Sequence, residues 1–320
     1  MSARTVTCLA ATFVLLLSAS TPAQAAFPGI NGRIVFHHVD GADDIYDSDL
    51  SDIFSISSTG AGLVQLTNHP AGDQGPAVSP DGKKIAFESE RSGGYDIYVM
   101  NADGSGLVRL TNDPAFDGSA SWSPDGTKIA FSSYRDGNHE LYVMNADGSA
   151  EERVTYHPAA DAAPAWSPTG STLAYTSSRS GNWDVYTMKL CRCWSPIVQL
   201  TDDPGDDMAP TWSPDGSKIA FETERNEVGN NHHREIYMVN DGGGNEARVT
   251  FNAADDFSPA WSPDGTKIVF SRSGDLYTTA ANSSPVKVET QVTSNTENNM
   301  SDATPDWARL TWVSLPPLGP

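Results

Sequence analysis

The segment Trp122-Ser-Pro-Asp-Gly-Thr-Lys-Ile-Ala-Phe131 decides the fold of this chain, because it recurs along the sequence with only small changes. In each full copy an aromatic or apolar residue precedes the turn Ser-Pro-Asp-Gly, or Ser-Pro-Thr-Gly in one copy, and an alternating apolar segment follows. Taken as markers, the residues before the turns, with one more near the C-terminus, are Val78, Trp122, Trp166, Trp212, Trp261 and Trp307. Their spacing of 44 to 49 residues indicates a solenoid or a propeller.

Each full repeat predicts four short strands. The Ser-Pro-Asp-Gly turn separates the first two strands, because Pro fixes φ and Gly accepts a positive φ. A loop that carries an Arg then leads to a third strand such as 96–100, and the turn Asn101-Ala-Asp-Gly104 leads to a fourth. Four such strands form one antiparallel blade.

The two ends of the repeat region are complementary. The N-terminal copy lacks its first strand, and the segment 302–307 supplies the matching residues at the C-terminus. We therefore predict an all-β fold, a six-bladed β-propeller of four-stranded antiparallel blades, in which the C-terminal strand completes the N-terminal blade. Closure of this kind removes exposed sheet edges. The predicted propeller spans 26–313, and 314–320 forms a short tail.

The first 25 residues have the features of a secretory signal peptide. Arg4 precedes the short apolar run Cys8–Ser18, and Ala23-Gln-Ala25 fits the small-x-small cleavage pattern. We expect cleavage after Ala25 and an exported protein, periplasmic or secreted, with no transmembrane segment. Cys191 and Cys193 remain in the mature chain, where either a disulfide, which needs a local bend, or two free thiols fits their spacing.

The composition limits the classes of partner. A formal net charge of −21 argues against binding to nucleic acid, whose phosphates require a basic surface, and against adhesion to anionic lipid. Acidic charge favours solubility and attracts cations or basic partners. The sequence contains no nucleophile elbow, zinc-protease motif, phosphate-binding loop or dinucleotide fingerprint. We expect a monomer.

The copies at Trp122–Phe131 and Glu140–Ser149 resemble the propeller repeat of TolB-type periplasmic proteins, a WD-like repeat with a W-S-P-D-G turn. The resemblance covers nearly the whole mature chain and implies the six-bladed fold. It implies no activity, because this repeat occurs in proteins of many functions. The repeats follow directly on the predicted signal peptide, so the N-terminal α/β domain of TolB is not expected.

The most regular polar feature is an Asp five residues before each marker residue. These residues are Asp73, Asp117, Asp161, Asp207, Asp256 and Asp302. Ring symmetry is expected to bring them to the mouth of a central channel, where they would bind a cation such as calcium or a basic group of a partner. The alternative is that each carboxylate only shapes its own loop through backbone hydrogen bonds.

A second recurring pattern is an Arg followed by an acidic residue at the start of the third strand. Arg91 with Asp96 and Arg135 with Glu140 predict an ion pair between the second and third strands of a blade. Two blades have longer loops, which are either partner-facing or solvated loop variation. The partner-facing candidates in these loops are Asp43, Asp44, Asp47, Asp49, His232 and His233.

These features favour a non-enzymatic binding scaffold for a protein, peptide or glycan, which uses the loop-rich face and the acidic channel mouth. A carbohydrate lyase or glycoside hydrolase that uses the mouth carboxylates is an alternative, since paired carboxylates can act on glycosidic bonds. A calcium-stabilised structural protein is another.

Overall fold

A computed structural model describes residues 31–39, 51–190, 196–225, 233–284, 288–295 and 301–309. The described residues form six four-stranded antiparallel sheets and contain no helix. This part of the chain accordingly offers no helix with the length and apolarity that a membrane span requires. The predicted all-β, six-bladed propeller is confirmed.

The strands are numbered in chain order and grouped by blade. Blade 1 begins with β1 (Asn31–Val39), β2 (Ser51–Ser57) and β3 (Val64–Gln65). Blade 2 contains β4 (Asp73–Val78), β5 (Lys84–Ser89), β6 (Asp96–Asn101) and β7 (Val108–Arg109). Blade 3 contains β8 (Asp117–Trp122), β9 (Lys128–Ser133), β10 (Glu140–Asn145) and β11 (Glu152–Arg153). Blade 4 contains β12 (Asp161–Trp166), β13 (Thr172–Ser177), β14 (Asp184–Lys189) and β15 (Val198–Gln199). Blade 5 contains β16 (Asp207–Trp212), β17 (Lys218–Thr223), β18 (Glu235–Asn240) and β19 (Ala247–Arg248). Blade 6 contains β20 (Asp256–Trp261), β21 (Lys267–Arg272), β22 (Asp275–Ala280) and β23 (Thr290–Gln291), and β24 (Ser301–Arg309) completes blade 1.

The C-terminal strand closes the ring. In blade 1 the strand order is β24-β1-β2-β3, with Trp307 opposite Ile34 in the antiparallel register. The carboxylate of Asp306 then reaches the next blade, where its Oδ2 accepts a hydrogen bond of 2.7 Å from the backbone N–H of Val78. The last strand therefore joins the first blade to the second.

The recurring Ser-Pro-Asp-Gly sequence forms one turn with a fixed set of hydrogen bonds. In blade 3 the Ser123 hydroxyl donates to Asp125 Oδ1 at 2.6 Å and accepts from the Lys128 N–H at 2.9 Å. Gly126 adopts a φ of 69° and donates to the Ser123 carbonyl at 2.8 Å. The turn is thus satisfied by its own residues, which agrees with a structural role.

The apolar core lies between neighbouring blades. One cluster of buried residues combines Ala77 and Ile97 of blade 2 with Trp122 and Phe131 of blade 3. The Trp122 indole N–H donates to the Ala77 carbonyl of the preceding blade at 3.0 Å, and Trp212 makes the equivalent bond to Ala165 at 3.1 Å. The marker residue, a Trp in every blade but the second, therefore packs its blade onto the one before it.

Each first strand carries a β-bulge with a left-handed residue. The φ angles of Ser119, Ala163 and Ser258 are 55°, 54° and 52°, and the equivalent residues are Gly75, Ala209 and Thr304. Left-handed backbone at a residue other than Gly costs about 1–2 kcal/mol, so the fold must hold it in place. The bulge turns a backbone N–H towards the preceding blade, where the Ala163 N–H donates to Ser132 Oγ at 3.0 Å.

Removal of residues 301–320 is expected to destabilise the whole ring, because it deletes the innermost strand of blade 1 and the Asp306 contact to blade 2. The loss of Trp307 packing alone corresponds to about 3–5 kcal/mol, which lowers the melting temperature by roughly 10 °C. Differential scanning calorimetry and size-exclusion chromatography measure the melting point and the aggregation. A truncated protein that stays monomeric with the melting point of the full chain would contradict the closure.

Candidate functional site

The six aspartates predicted at the channel mouth begin the first strand of their blades, and each is buried. Five of them have 0% exposed surface and Asp302 has 2%. In blades 2 to 6 each carboxylate is bound by an Arg of its own blade. The pairs are Asp73–Arg91 at 2.6 Å, Asp117–Arg135 at 2.8 Å, Asp161–Arg179 at 2.8 Å, Asp207–Arg225 at 2.7 Å and Asp256–Arg272 at 2.5 Å.

Each of these Arg side chains also lies over an aromatic pair. In blade 4 the Arg179 guanidinium carbon is 5.5 Å from the ring centre of Tyr175 and 4.9 Å from that of Tyr186. Tyr175 and Tyr186 are direct cross-strand partners in β13 and β14. A buried carboxylate, a cation and two ring faces thus form one unit, which we name the Asp–Arg lock, and cation–π attraction adds to the ion pair.

Blade 1 has a histidine in the lock. His38 Nδ1 lies 2.5 Å from Asp302 Oδ1, and the His38 ring packs edge-on against Phe54 with the ring centres 5.2 Å apart. Blade 1 therefore differs from the other five in that an imidazole takes the place of the Arg guanidinium.

Burial dominates the electrostatics of the lock carboxylates. It raises the pKa of Asp117, Asp161, Asp207 and Asp256, because a charged form is less stable away from water. The neighbouring Arg and hydroxyl groups act in the opposite direction and lower the pKa of the same carboxyls. For these four carboxyl groups burial outweighs the partners, and the net direction of the pKa shift is upward.

The predicted ion pair between second and third strands is wrong. Arg91 binds Asp73 of the first strand, whereas Asp96 is paired with Arg109 of the fourth strand at 2.7 Å. The same arrangement holds in blade 3, where Arg153 binds Glu140 at 2.8 Å. The Arg reaches across to the first strand because the fully buried Asp there lies beside the end of the second strand, with Asp73 opposite Ser89.

The loop face is the end of the propeller formed by the second-to-third strand loops and the segments that lead into the first strands. It comprises 68–72, 90–95, 112–116, 134–139, 156–160, 178–183, 202–206, 224–225, 233–234, 251–255 and 273–274. One residue in each of these second-to-third strand loops has a backbone geometry that is fixed by contact with the next blade. Its backbone carbonyl accepts a hydrogen bond of 2.7–2.9 Å from the lock Asp N–H of the next blade. The residues at this position, called the rim position, are Tyr95, His139, Trp183, Arg234 and Gly274.

Aromatic rings cluster on the loop face between blades 2 and 3. The ring centres of Tyr95 and Phe116 are 5.5 Å apart, and those of Phe116 and His139 are 5.6 Å apart. Tyr134 packs edge-on against His139 at 5.0 Å and is 46% exposed. Burial lowers the pKa of His139 to about 4, so its imidazole is neutral at physiological pH.

Sequence reasoning missed two buried glutamates at the end of second strands. Glu88 in blade 2 and Glu222 in blade 5 are 1% and 0% exposed, and each follows the Phe of its strand. The available signal was a departure from the other blades, which have His37, Ser132, Thr176 or Ser271 at that point.

The sequence of this chain matches the family described as the TolB beta propeller domain over residues 56–162 and 157–314. The chain belongs to this family. No curated protein matches the sequence significantly.

Several solved structures have the same fold as this TolB-family propeller at low sequence identity. TolB from Acinetobacter baumannii is 20% identical with a TM-score of 0.71, over 90% of this chain and 68% of that one. A putative TolB from Agrobacterium tumefaciens is 20% identical with a TM-score of 0.63, over 87% and 99%. A chain of a nidogen/laminin complex is 11% identical with a TM-score of 0.67, over 87% and 98%. At these identities the likeness shows the fold alone.

Several predicted site residues of this propeller lie outside the described residues. They are Ala25, Asp43, Asp44, Asp47, Asp49, Cys191, Cys193 and His232. His233 is described, and its Nδ1 lies 3.5 Å from Asp255 Oδ1 on the loop face. Within the described ranges no group of three or more His, Cys, Asp or Glu side chains is placed to hold a metal ion. Calcium binding and a binding role for the six lock aspartates stay predictions.

Replacement of Arg179 by Met is expected to destabilise the propeller by about 3–5 kcal/mol, since it leaves the buried Asp161 carboxylate without its cation. The double variant Asp161→Asn/Arg179→Met is expected to recover part of this loss, because it removes the buried charge as well. Urea unfolding at pH 7 measures the free energies.

The matched control is Lys83→Met, which breaks an exposed pair with Asp81 (70% and 56% exposed) and should cost about 0–1 kcal/mol. If Arg179→Met is no more destabilising than Lys83→Met, the lock does not stabilise the fold.

Proposed function

We propose that this TolB-family propeller is an exported, non-enzymatic scaffold that binds a protein or peptide partner on its loop face. One observation carries the proposal: the rim position has the same backbone contact in successive blades but a different side chain in each. Tyr95, His139, Trp183 and Arg234 thus project different chemistries from equivalent points. Trp183 and Arg234 are partly exposed, whereas the Tyr95 and His139 rings are largely buried beneath the loop face. A rigid frame that carries different loop residues at equivalent points is the usual design of a recognition surface.

The side chains at the rim position support a macromolecular partner. Tyr, Trp and Arg are enriched where proteins bind each other, since they combine large contact area with hydrogen bonding. Tyr134 and Phe116 extend the aromatic surface next to the rim position and are at least partly exposed. The net charge of −21 favours a partner with basic groups.

The comparisons support the same class of function. The family is that of the TolB propeller domain, and a chain of similar fold takes part in a nidogen/laminin complex. Export is supported by residues 1–25, whose basic start, apolar run and Ala-Gln-Ala end have the pattern of a cleaved signal. A glycan remains a second class of ligand for the same face.

Affinity capture with the purified protein tests the proposal. Proteins from the envelope and the medium of the producing cells are passed over the immobilised parent and over a Trp183→Ala variant. We expect a partner that binds the parent and is retained at least tenfold less by the variant, which corresponds to the loss of about 1.4 kcal/mol.

Lys128→Ala is the matched control, because Lys128 is exposed at the opposite end of the propeller, beside the Ser-Pro-Asp-Gly turn. It should retain the partner as the parent does. The proposal fails if nothing is captured, or if Trp183→Ala captures the same proteins in the same amounts as the parent.

A further inference from the structure

Glu88 is a buried carboxyl group that forms no ion pair with any of the residues that the structure describes. It is 1% exposed, and within the described part of the chain neither of its carboxylate oxygens has a hydrogen-bond partner of good geometry. Gln74, directly opposite in the antiparallel register, is 4% exposed, and its Nε2 likewise has no hydrogen-bond partner. Burial raises the pKa of Glu88 to about 8; the nearby Ser119 N–H opposes this rise and Glu90 adds to it. Such a group is costly to keep, so the fold alone gives no reason for it.

Blade 5 shows how the same position is satisfied inside this chain. Glu222 Oε1 lies 3.4 Å from the Arg234 guanidinium, and its Oε2 accepts a hydrogen bond of 2.7 Å from the Ser258 N–H of the next blade. Arg234 occupies the rim position of its blade, and Tyr95 occupies the same position in blade 2. Blade 2 therefore has the carboxylate of blade 5 but a neutral ring in place of the cation.

The surroundings of Glu88 suit a cation that comes from outside the chain. Tyr95, Phe116 and His139 form a neutral aromatic wall, since the His139 imidazole is uncharged above its lowered pKa of about 4. Aromatic faces with one carboxylate are the chemistry that recognises guanidinium and alkylammonium groups. Tyr134 and Phe116 connect this wall to the solvent at the loop face.

Gly118 makes room for this arrangement. A Cβ at Gly118 would lie 2.0 Å from Glu88 Oε2 and 2.4 Å from the Phe116 ring, so any side chain there would displace one of them. The equivalent residue next to blade 5, Phe257 of blade 6, has a full side chain. Because residue 118 has no side chain, the Glu88 carboxylate and the Phe116 ring lie together where blades 2 and 3 meet.

We propose that Glu88, with the wall of Tyr95, Phe116 and His139, binds the guanidinium group of an arginine side chain from the partner, in the place that Arg234 fills in blade 5. The inference rests on the proposed function and deepens it, since it names the chemical group that the loop face accepts. The bound guanidinium pairs with ionised Glu88, so a proton leaves the carboxyl group when the ligand binds below pH 8.

The probe is N-acetyl-L-arginine amide, titrated into the purified protein and followed by NMR. N-acetyl-L-citrulline amide is the matched neutral control, because it replaces one guanidinium nitrogen by oxygen. We expect saturable binding of the arginine probe, at least tenfold stronger than that of the citrulline probe. Binding at pH 8 should be about fiftyfold stronger than at pH 6, since about half of Glu88 is ionised at pH 8 and about 1% at pH 6.

Three variants separate the site from general attraction to an acidic protein. Glu88→Gln should lose arginine binding at least tenfold, whereas Glu90→Gln, which removes a charge from the adjacent loop, should keep it within about twofold. Tyr95→Arg supplies an internal cation as Arg234 does, so it should abolish probe binding and raise the melting temperature.

The inference is overturned if the arginine probe does not bind, if the citrulline probe binds equally well, or if Glu88→Gln binds as the parent does. Circular dichroism confirms that each variant is folded, and the Tyr95→Arg result stands by itself if Glu88→Gln does not fold. Failure here with Trp183-dependent capture intact would leave the proposed scaffold role standing and remove only the arginine site. If the arginine probe binds but no partner is captured, the arginine site stands and the proposed scaffold role is removed.

Discussion

The buried aspartate at the start of each first strand is the constraint on which the rest of the propeller depends. A carboxylate with no exposed surface must be paired, because an unpaired buried charge costs several kcal/mol. Asp161 is paired by Arg179, which comes from the second-to-third strand loop, crosses the end of the blade and lies on Tyr175. This one contact fixes the loop, the aromatic pair and the first strand together.

The left-handed bulge extends this constraint from one blade to the next. Because Ser258 is left-handed two residues after its lock Asp, its N–H points at the second strand of the preceding blade. A hydroxyl suffices to accept that bond, as Ser132 shows, so a glutamate there is more than the frame requires. The buried glutamates of blades 2 and 5 are therefore best understood through what else they bind.

The repeat made the architecture predictable, and it made the partners within a blade hard to predict. Trp spacing and the split N-terminal copy depend only on counting, so blade number and closure followed from the sequence. Arg91 lies five residues from Asp96 and 18 residues from Asp73, and sequence proximity favoured the wrong carboxylate. The burial of Glu88 could not be predicted, because a lone Glu in an alternating strand ordinarily marks a solvent-facing position. Glu88 is buried because Gly118 of the next blade approaches it closely.

Because the blades are similar, equivalent positions can be compared within one chain, and blades 2 and 5 are the pair to compare for the buried glutamate. They share the Phe-Glu sequence in the second strand, the lock, and the carbonyl contact at the rim position. They differ in that Arg234 neutralises Glu222, whereas Tyr95 leaves Glu88 beside a neutral wall. The backbone frame is the same in both blades, so the frame alone does not decide whether the chain itself supplies the cation. Blade 5 supplies it through Arg234, and in the proposed complex blade 2 receives it from the ligand.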